Sequence, residues 1–185
     1  MSKAHIHITG ASGCGVTTLG AALAVALEIT QLDTDNYYWM PPVEDYNHKR
    51  PIPDRLRLLD EEFALLDADQ KGWVLSGALE SWGSPIAHHF DLTIFLQVPT
   101  PIRLQRLRER ESVRYGAEHV GPGGWRHEET EEFIDWAAHY DDGTREGRTL
   151  TRHEDWLATL DGPVLRLEGE RTVEELVGEV EKALG

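Results

Sequence analysis

Apolar positions along the chain alternate between two periods. Short runs rich in β-branched and aromatic residues occur at His5–Thr9, Thr30–Asp33, Trp73–Ser76, Leu92–Val98 and Val164–Leu167, and they read as strands. Between them, apolar residues recur every three or four positions over Thr17–Glu28, Asp54–Ala68, Pro101–Tyr115, Glu128–Tyr140, Arg145–Leu160 and Thr172–Leu184, the spacing of helices with one buried face. The run from Leu92 to Val98 is apolar almost throughout, as a strand covered on both faces must be. Strands alternating with helices predict an α/β fold: right-handed crossovers and a parallel sheet held between two helical layers.

Local signals sharpen some boundaries. Thr100-Pro101 offers an N-cap oxygen followed by a proline whose φ is pre-set for a first turn. Thr172-Val-Glu-Glu175 reads as a capping box ahead of Leu176, Val177, Val180 and Leu184. Glu128 to Glu132 reads as an acidic first turn that complements the helix dipole. Thr34–Pro53 and Gly116–His127 carry neither period, and connections of that length in an α/β sheet usually hold a site or a lid.

Length and composition narrow the function. With 185 residues, the chain suits one domain carrying a helical insertion at about 110–150. Eighteen Lys and Arg against 33 Asp and Glu leave a formal charge of −15, which argues against a sequence-independent grip on nucleic acid and against an anionic membrane as partner. A polyanionic small molecule remains admissible if positive potential is concentrated in one cleft. Cys14 is the only cysteine, so neither an intrachain disulfide nor a zinc ribbon can form. The polar opening does not read as a leader, and the apolar run Ala21–Leu27 falls far short of the ~20 residues of a membrane span. The expectation is a cytoplasmic protein.

The chemistry concentrates where the first strand meets the first helix. Gly10-Ala-Ser12-Gly13-Cys14-Gly15-Val16-Thr17-Thr18 follows a strand and opens a helix, the context in which main-chain amides cradle phosphate. Gly10, Gly15 and Thr17 match the spacing G-x-x-x-x-G-K-[ST], with Val16 at the lysine position. The competing dinucleotide loop would need a third glycine where Thr18 stands. A lysine charge ~3 Å from a phosphate oxygen at an effective dielectric of ~20 contributes about 5 kcal/mol. Half of that, realised in a transition state, is roughly a hundredfold in rate. Either another cation replaces it or the chain is a weak enzyme. Cys14, at a helix start, is expected to have a lowered pKa.

These residues give the chain a resemblance to the P-loop kinases of small molecules, the adenylate, shikimate and gluconate kinase group. Leu32-Asp33-Thr34-Asp35 is similar to the D-x-D of shikimate and gluconate kinases, and Trp73-Val-Leu-Ser-Gly77 to their third strand. The arginine-bearing helix after Val98 is similar to the one leading into their lid. The resemblance implies a five-stranded, three-layer P-loop NTPase fold, with ATP and Mg²⁺ as donor system and a small acceptor. By the same resemblance Thr17 coordinates Mg²⁺, Asp33 holds magnesium-bound water and Asp35 orients the acceptor hydroxyl. Gly10, Ser12, Gly13, Cys14, Gly15, Val16, Thr17 and Thr18 would line the nucleotide phosphates. Positions i and i+2 at a strand end point to one side, so Asp33 and Asp35 could face one metal and one nucleophile.

Arg103, Arg106, Arg110 and Arg114 share one helical face, with Leu104 and Leu107 on a flank that could reach the sheet. The resemblance makes Arg106 and Arg110 phosphate clamps, with Arg148 a further candidate. Tyr37, Tyr38, Trp39, Tyr46, His48, Lys49 and Arg50 would overhang the C-terminal sheet edge, in an acceptor region at about 34–60. Arg55, Gly77 and Trp82 join Asp35 as acceptor-side candidates. The rival expectation is a nucleotide-binding protein that has lost transfer and acts as a sensor or interaction module, which Val16 favours.

Overall fold

In β1 (His5–Gly10) alternate residues serve opposite faces of the sheet. Ile6 and Ile8 are fully buried with Leu19 and Leu23 of α1 (Val16–Ala26) and Val180 of α8 (Val173–Leu184). His7 and Thr9 are equally buried but face the other way. There, α3 (Ile52–Ala68) and α7 (Leu150–Leu157) bring Leu59, Phe63, Trp156 and Leu157 against the sheet. The computed structural model describes residues 4–41 and 48–185.

The sheet has five strands, with β2 (Thr30–Asp33), β3 (Trp73–Ser76), β4 (Leu92–Gln97) and β5 (Val164–Glu168) added to β1 in the order β2-β3-β1-β4-β5. Every pairing is parallel. The connection from β3 to β4 passes β1, so the C-terminal end of β1 stands in the crevice where open α/β sheets bind ligands. The expected α/β architecture with two helical layers is what the chain adopts, and the strand bounds agree to within a residue.

The helices after β4 depart further from the sequence reading. They are α4 (Thr100–Tyr115), α5 (Ala117–Val120) and α6 (His127–Ala138). Leu104 and Leu107 pack against Ile134 and Ala137 of α6 and do not reach the sheet. Thr100 is not an N-cap. Pro99 takes that place, and the Thr100 hydroxyl instead accepts from Arg103 Nη2 at 2.6 Å and donates to Asp141. The expected helix Arg145–Leu160 shrinks to α7, because Gly147 holds φ +104° and the Thr149 hydroxyl caps a later start by accepting from the Arg152 amide. The capping box at Thr172 and Glu175 is present in both directions. Within the stretch left unassigned after β2, Asp35–Tyr38 forms a single turn, α2. Trp39 and Lys49 then form an antiparallel bridge.

Candidate functional site: a glycine loop facing an aspartate pair

The turn after β1 is shaped by close packing. At Gly13 (φ +84°) a Cβ would stand 2.7 Å from the Arg103 carbonyl, so only glycine lets α4 lie down on the loop. Gly15 (φ +94°) is the N-cap of α1. The first main-chain acceptance at this end is Leu19 N–H to the Gly15 carbonyl, 2.9 Å. Among the described residues, the amides of Gly15, Val16, Thr17 and Thr18 donate to no main-chain carbonyl. They are the orphan donors of an eleven-residue helix, a cradle suited to an anion. Ser12 lies half-buried on the rim. Val16 rests its side chain against the core and brings no charge.

Opposite the cradle stands Asp33, at the end of β2. Thr17 Oγ1 donates to Asp33 Oδ2 at 3.2 Å, and Gln31 Nε2 donates to the Thr17 carbonyl at 2.9 Å, fastening α1 to β2. Asp33 Oδ1 accepts the Asp35 amide at 3.0 Å. The expected strand geometry for the pair does not hold, because Asp33 ends β2 whereas Asp35 opens α2; a side chain-to-amide bond joins them instead. Surrounding protein and the Asp33 charge push the Asp35 carboxyl above its ordinary range, with Arg148 and Arg110 pulling it back. Among the described residues no three His, Cys, Asp or Glu side chains form a metal cage. The hydroxyl of Thr17 and the carboxylate of Asp33 are hard oxygens at the mouth of an anion cradle, a donor set that fits Mg²⁺, which takes few protein ligands and completes its shell with water and phosphate.

The arginines of the stripe differ in what they touch. Arg106 is held at the loop, with Nη1 donating to the Cys14 carbonyl at 3.4 Å and Nη2 to the Gly169 carbonyl at 3.2 Å. Arg110 pairs with Glu111 at 3.0 Å and lies over Phe133. Arg103 is 1% exposed. It donates to the carbonyls of Val98 and Ala137 and pairs with Asp141 at 3.1 Å, binding α4 to the end of α6. Arg114 lies over Tyr115. Cys14 also departs from expectation: burial pushes its thiol pKa up, outweighing the pull of Arg103 and Arg106.

On the β2–β3 side the acceptor-side candidates come together. Arg55, almost fully buried, stacks 3.8 Å from the Tyr38 ring centroid and 5.4 Å from that of Trp82. Its Nε donates to the Arg50 carbonyl at 2.6 Å. Arg50 itself donates to the carbonyls of Tyr37 and Trp39, and Lys49 faces the Tyr38 ring. Tyr46 lies outside the described residues. Gly77 (φ +124°) presses against Thr34, where a Cβ would meet Oγ1 at 1.9 Å. His7 Nε2 donates to the Gly77 carbonyl at 2.9 Å, and burial lowers this histidine to about 4.

Sequence reasoning passed over a buried polar group beside these residues. His153 of α7 meets Thr9 Oγ1 at 3.0 Å and the Tyr140 hydroxyl at 2.7 Å, with Glu80 and Arg148 alongside. The odd feature visible in the sequence was Glu80 inside the otherwise small and apolar run Gly77-Ala-Leu-Glu-Ser-Trp82. On the far side of the loop, a cavity of about 360 Å³ is bounded by Ala11, Cys14, Gln97, Pro99 and Glu170.

A family model described as an AAA domain matches residues 6–133, more than half of the chain, from β1 through most of α6. The chain belongs to this AAA domain family. The AAA domain chain is also 46% identical over 178 residues, covering 96% of each sequence, to the uncharacterized protein YqaC of Bacillus subtilis strain 168. Its fold is that of P-loop kinases. Shikimate kinase from Bacteroides thetaiotaomicron superposes with a TM-score of 0.52 at 21% identity, covering 98% of both chains. A gluconokinase from Sinorhizobium meliloti 1021 gives 0.53 at 16% identity, covering 96% of this chain and 89% of its own. Among the described residues no helix is long and apolar enough to cross a membrane.

Proposed function

We propose that the protein transfers the γ-phosphoryl group of ATP to a hydroxyl of a small molecule. The reading rests on one observation, the Thr17–Asp33 contact of 3.2 Å at the mouth of the unpaired helix amides. The kinase names of its structural neighbours are in keeping with it. In this reading Gly10 to Thr18 hold the phosphates, the cavity beside Cys14 takes the base, and residues at about 110–150 close over both. Arg55, Gly77 and Trp82 line the acceptor side. Thr17 and Asp33 would hold Mg²⁺, which when bound neutralises charge on the β- and γ-phosphate oxygens.

The acceptor oxygen attacks the γ-phosphorus as the bond to the β–γ bridging oxygen breaks, and ADP leaves with that electron pair. The hydroxyl proton passes to the Asp35 carboxylate, whose residue is held beside Asp33 by the bond from its amide to Asp33 Oδ1. Arg106 and Arg110 supply positive charge that Val16 does not. Calorimetry with millimolar ATP and Mg²⁺ should give measurable heat; the absence of both heat and a thermal shift would reject the reading. Asp35→Asn should abolish transfer and leave nucleotide affinity unchanged.

Val16 favours a second reading, a nucleotide-binding module without transfer. It predicts the same heat but no ADP release with any acceptor.

A further inference from the structure

Glu80 lies three residues past Gly77, on the segment leaving β3, and its side chain is only 6% exposed. Its Oε2 makes no hydrogen bond. His153 Nε2 is 3.6 Å away, but that nitrogen is engaged with Thr9 Oγ1 and the other with the Tyr140 hydroxyl. Burial, with Arg148 and His7 nearby, lowers His153 to about 3, so the imidazole is neutral near pH 7 and offers Glu80 no opposite charge. On the other side, Glu80 Oε1 and Arg148 Nε are 4.0 Å apart, beyond hydrogen-bond reach, and this Nε is also buried without a hydrogen bond. Buried polar atoms left unmet are rare and expensive, and Glu80 Oε2 and Arg148 Nε, on two side chains that stand within ion-pair distance through Oε1, make one cluster with room for a further hydrogen-bonding group.

The location indicates which group. Arg148 stands close enough to Asp35 to act on its charge. Trp82, two residues beyond Glu80, closes the box of Tyr38 and Arg55. Arg148 therefore lies in reach of the base of the proposed reaction, and the segment that carries Glu80 also carries Trp82 of the aromatic wall on the acceptor side. Arg148 can only donate, and a carboxylate can only accept. A hydroxyl does both, donating to Glu80 and accepting from Arg148. An ammonium group would leave Arg148 unmet, and a phosphate or carboxylate would leave Glu80 unmet.

We propose that Glu80 and Arg148 form a specificity site that reads a second hydroxyl of the acceptor, so that the substrate class is a neutral polyol and not a phosphorylated or carboxylated one at that position. This rests on the kinase reading above. In the full chain with ATP and Mg²⁺, ADP release is expected with D-ribose, D-glucose, myo-inositol or adenosine, and not with AMP or CMP. For the polyol that turns over, Glu80→Gln should raise KM about tenfold or more and leave kcat within about threefold, with ATP affinity unchanged. Because Oε2 of the wild-type carboxyl is unmet without acceptor and Oε1 meets Arg148 only at 4.0 Å, Glu80→Gln should melt no lower than wild type. A drop of more than about 4 °C would show that Glu80 holds the fold together and would overturn the site. Turnover of AMP or CMP alone, or of no acceptor while ATP binds, would also overturn it and leave nucleotide binding standing. Absence of ATP binding would instead remove the kinase reading, and the melting comparison would still decide whether Glu80 is structural.

Discussion

At the scale of single residues, burial sets the chemistry as strongly as motif does. His7 and His153 are held neutral, at about 4 and about 3, against an unfolded value of 6.5. The unfolded chain therefore binds more protons than the native one once pH drops below about 6.5, and stability falls with pH. The loss continues until the native histidines themselves titrate, amounting to about 3 kcal/mol for His7 alone. Urea unfolding at steps from pH 7 to pH 4 should show this decline, and His153→Asn should make it shallower. A flat profile would contradict the burial of both rings. Thr17, Asp33 and Asp35 were legible in the sequence because their relation is local to one loop and one strand end. Glu80 and His153 were not, and Arg148 only as a further phosphate-clamp candidate, because only the packing of α7 against β1 brings the three together.

Among the elements, α4 shows what a helical stripe does and does not establish. The four arginines share a face by spacing, yet the helix lies so close to the glycine loop that Arg103, in its first turn, is interior. Arg103 is consequently a fastener between α4 and α6, and Arg106, one turn later, is the first to reach the loop. Arg103→Met takes the guanidinium donor from two carbonyls and the charge partner from Asp141, which keeps only the Thr100 hydroxyl, and should cost about 2–4 kcal/mol in urea unfolding. Calorimetric affinity for ATP should hold at temperatures where the variant is folded. Lysine should not rescue the loss, since its single ammonium cannot span partners arranged for a guanidinium fork. The expected helix over 145–160 failed for a related reason. Its apolar spacing was genuine, but Gly147 and the Thr149 cap moved the start by five residues.

For the molecule as a whole, the parallel sheet and its two helical layers follow from the hydrophobic period and could be read before any coordinates, whereas the strand order β2-β3-β1-β4-β5 came only with the structure. The balance of charge was informative in the same way. A chain with a formal charge of −15 must gather its cations to hold a polyphosphate, and they are gathered, with Arg106 at the loop and Arg110 and Arg148 around Asp35. Val16→Lys adds one more at the loop itself. The lysine stem can follow the half-buried path of the valine while its ammonium reaches outward, so ATP should bind at least tenfold tighter by calorimetry with little change in melting temperature. No gain in affinity or transfer would show that the helix amides hold their anion in a different register.

The tether of Arg106 to Gly169 has a reach beyond the loop it touches. Gly169 follows β5, outside the 6–133 stretch that defines the family, yet a single guanidinium joins it to the Cys14 carbonyl. Filling the cradle would draw that guanidinium toward the incoming anion and release its hold on the C-terminal segment. Amide exchange at 169–172 would then register an event more than 150 residues upstream in the chain, making the tail of the protein a gauge of occupancy at its head.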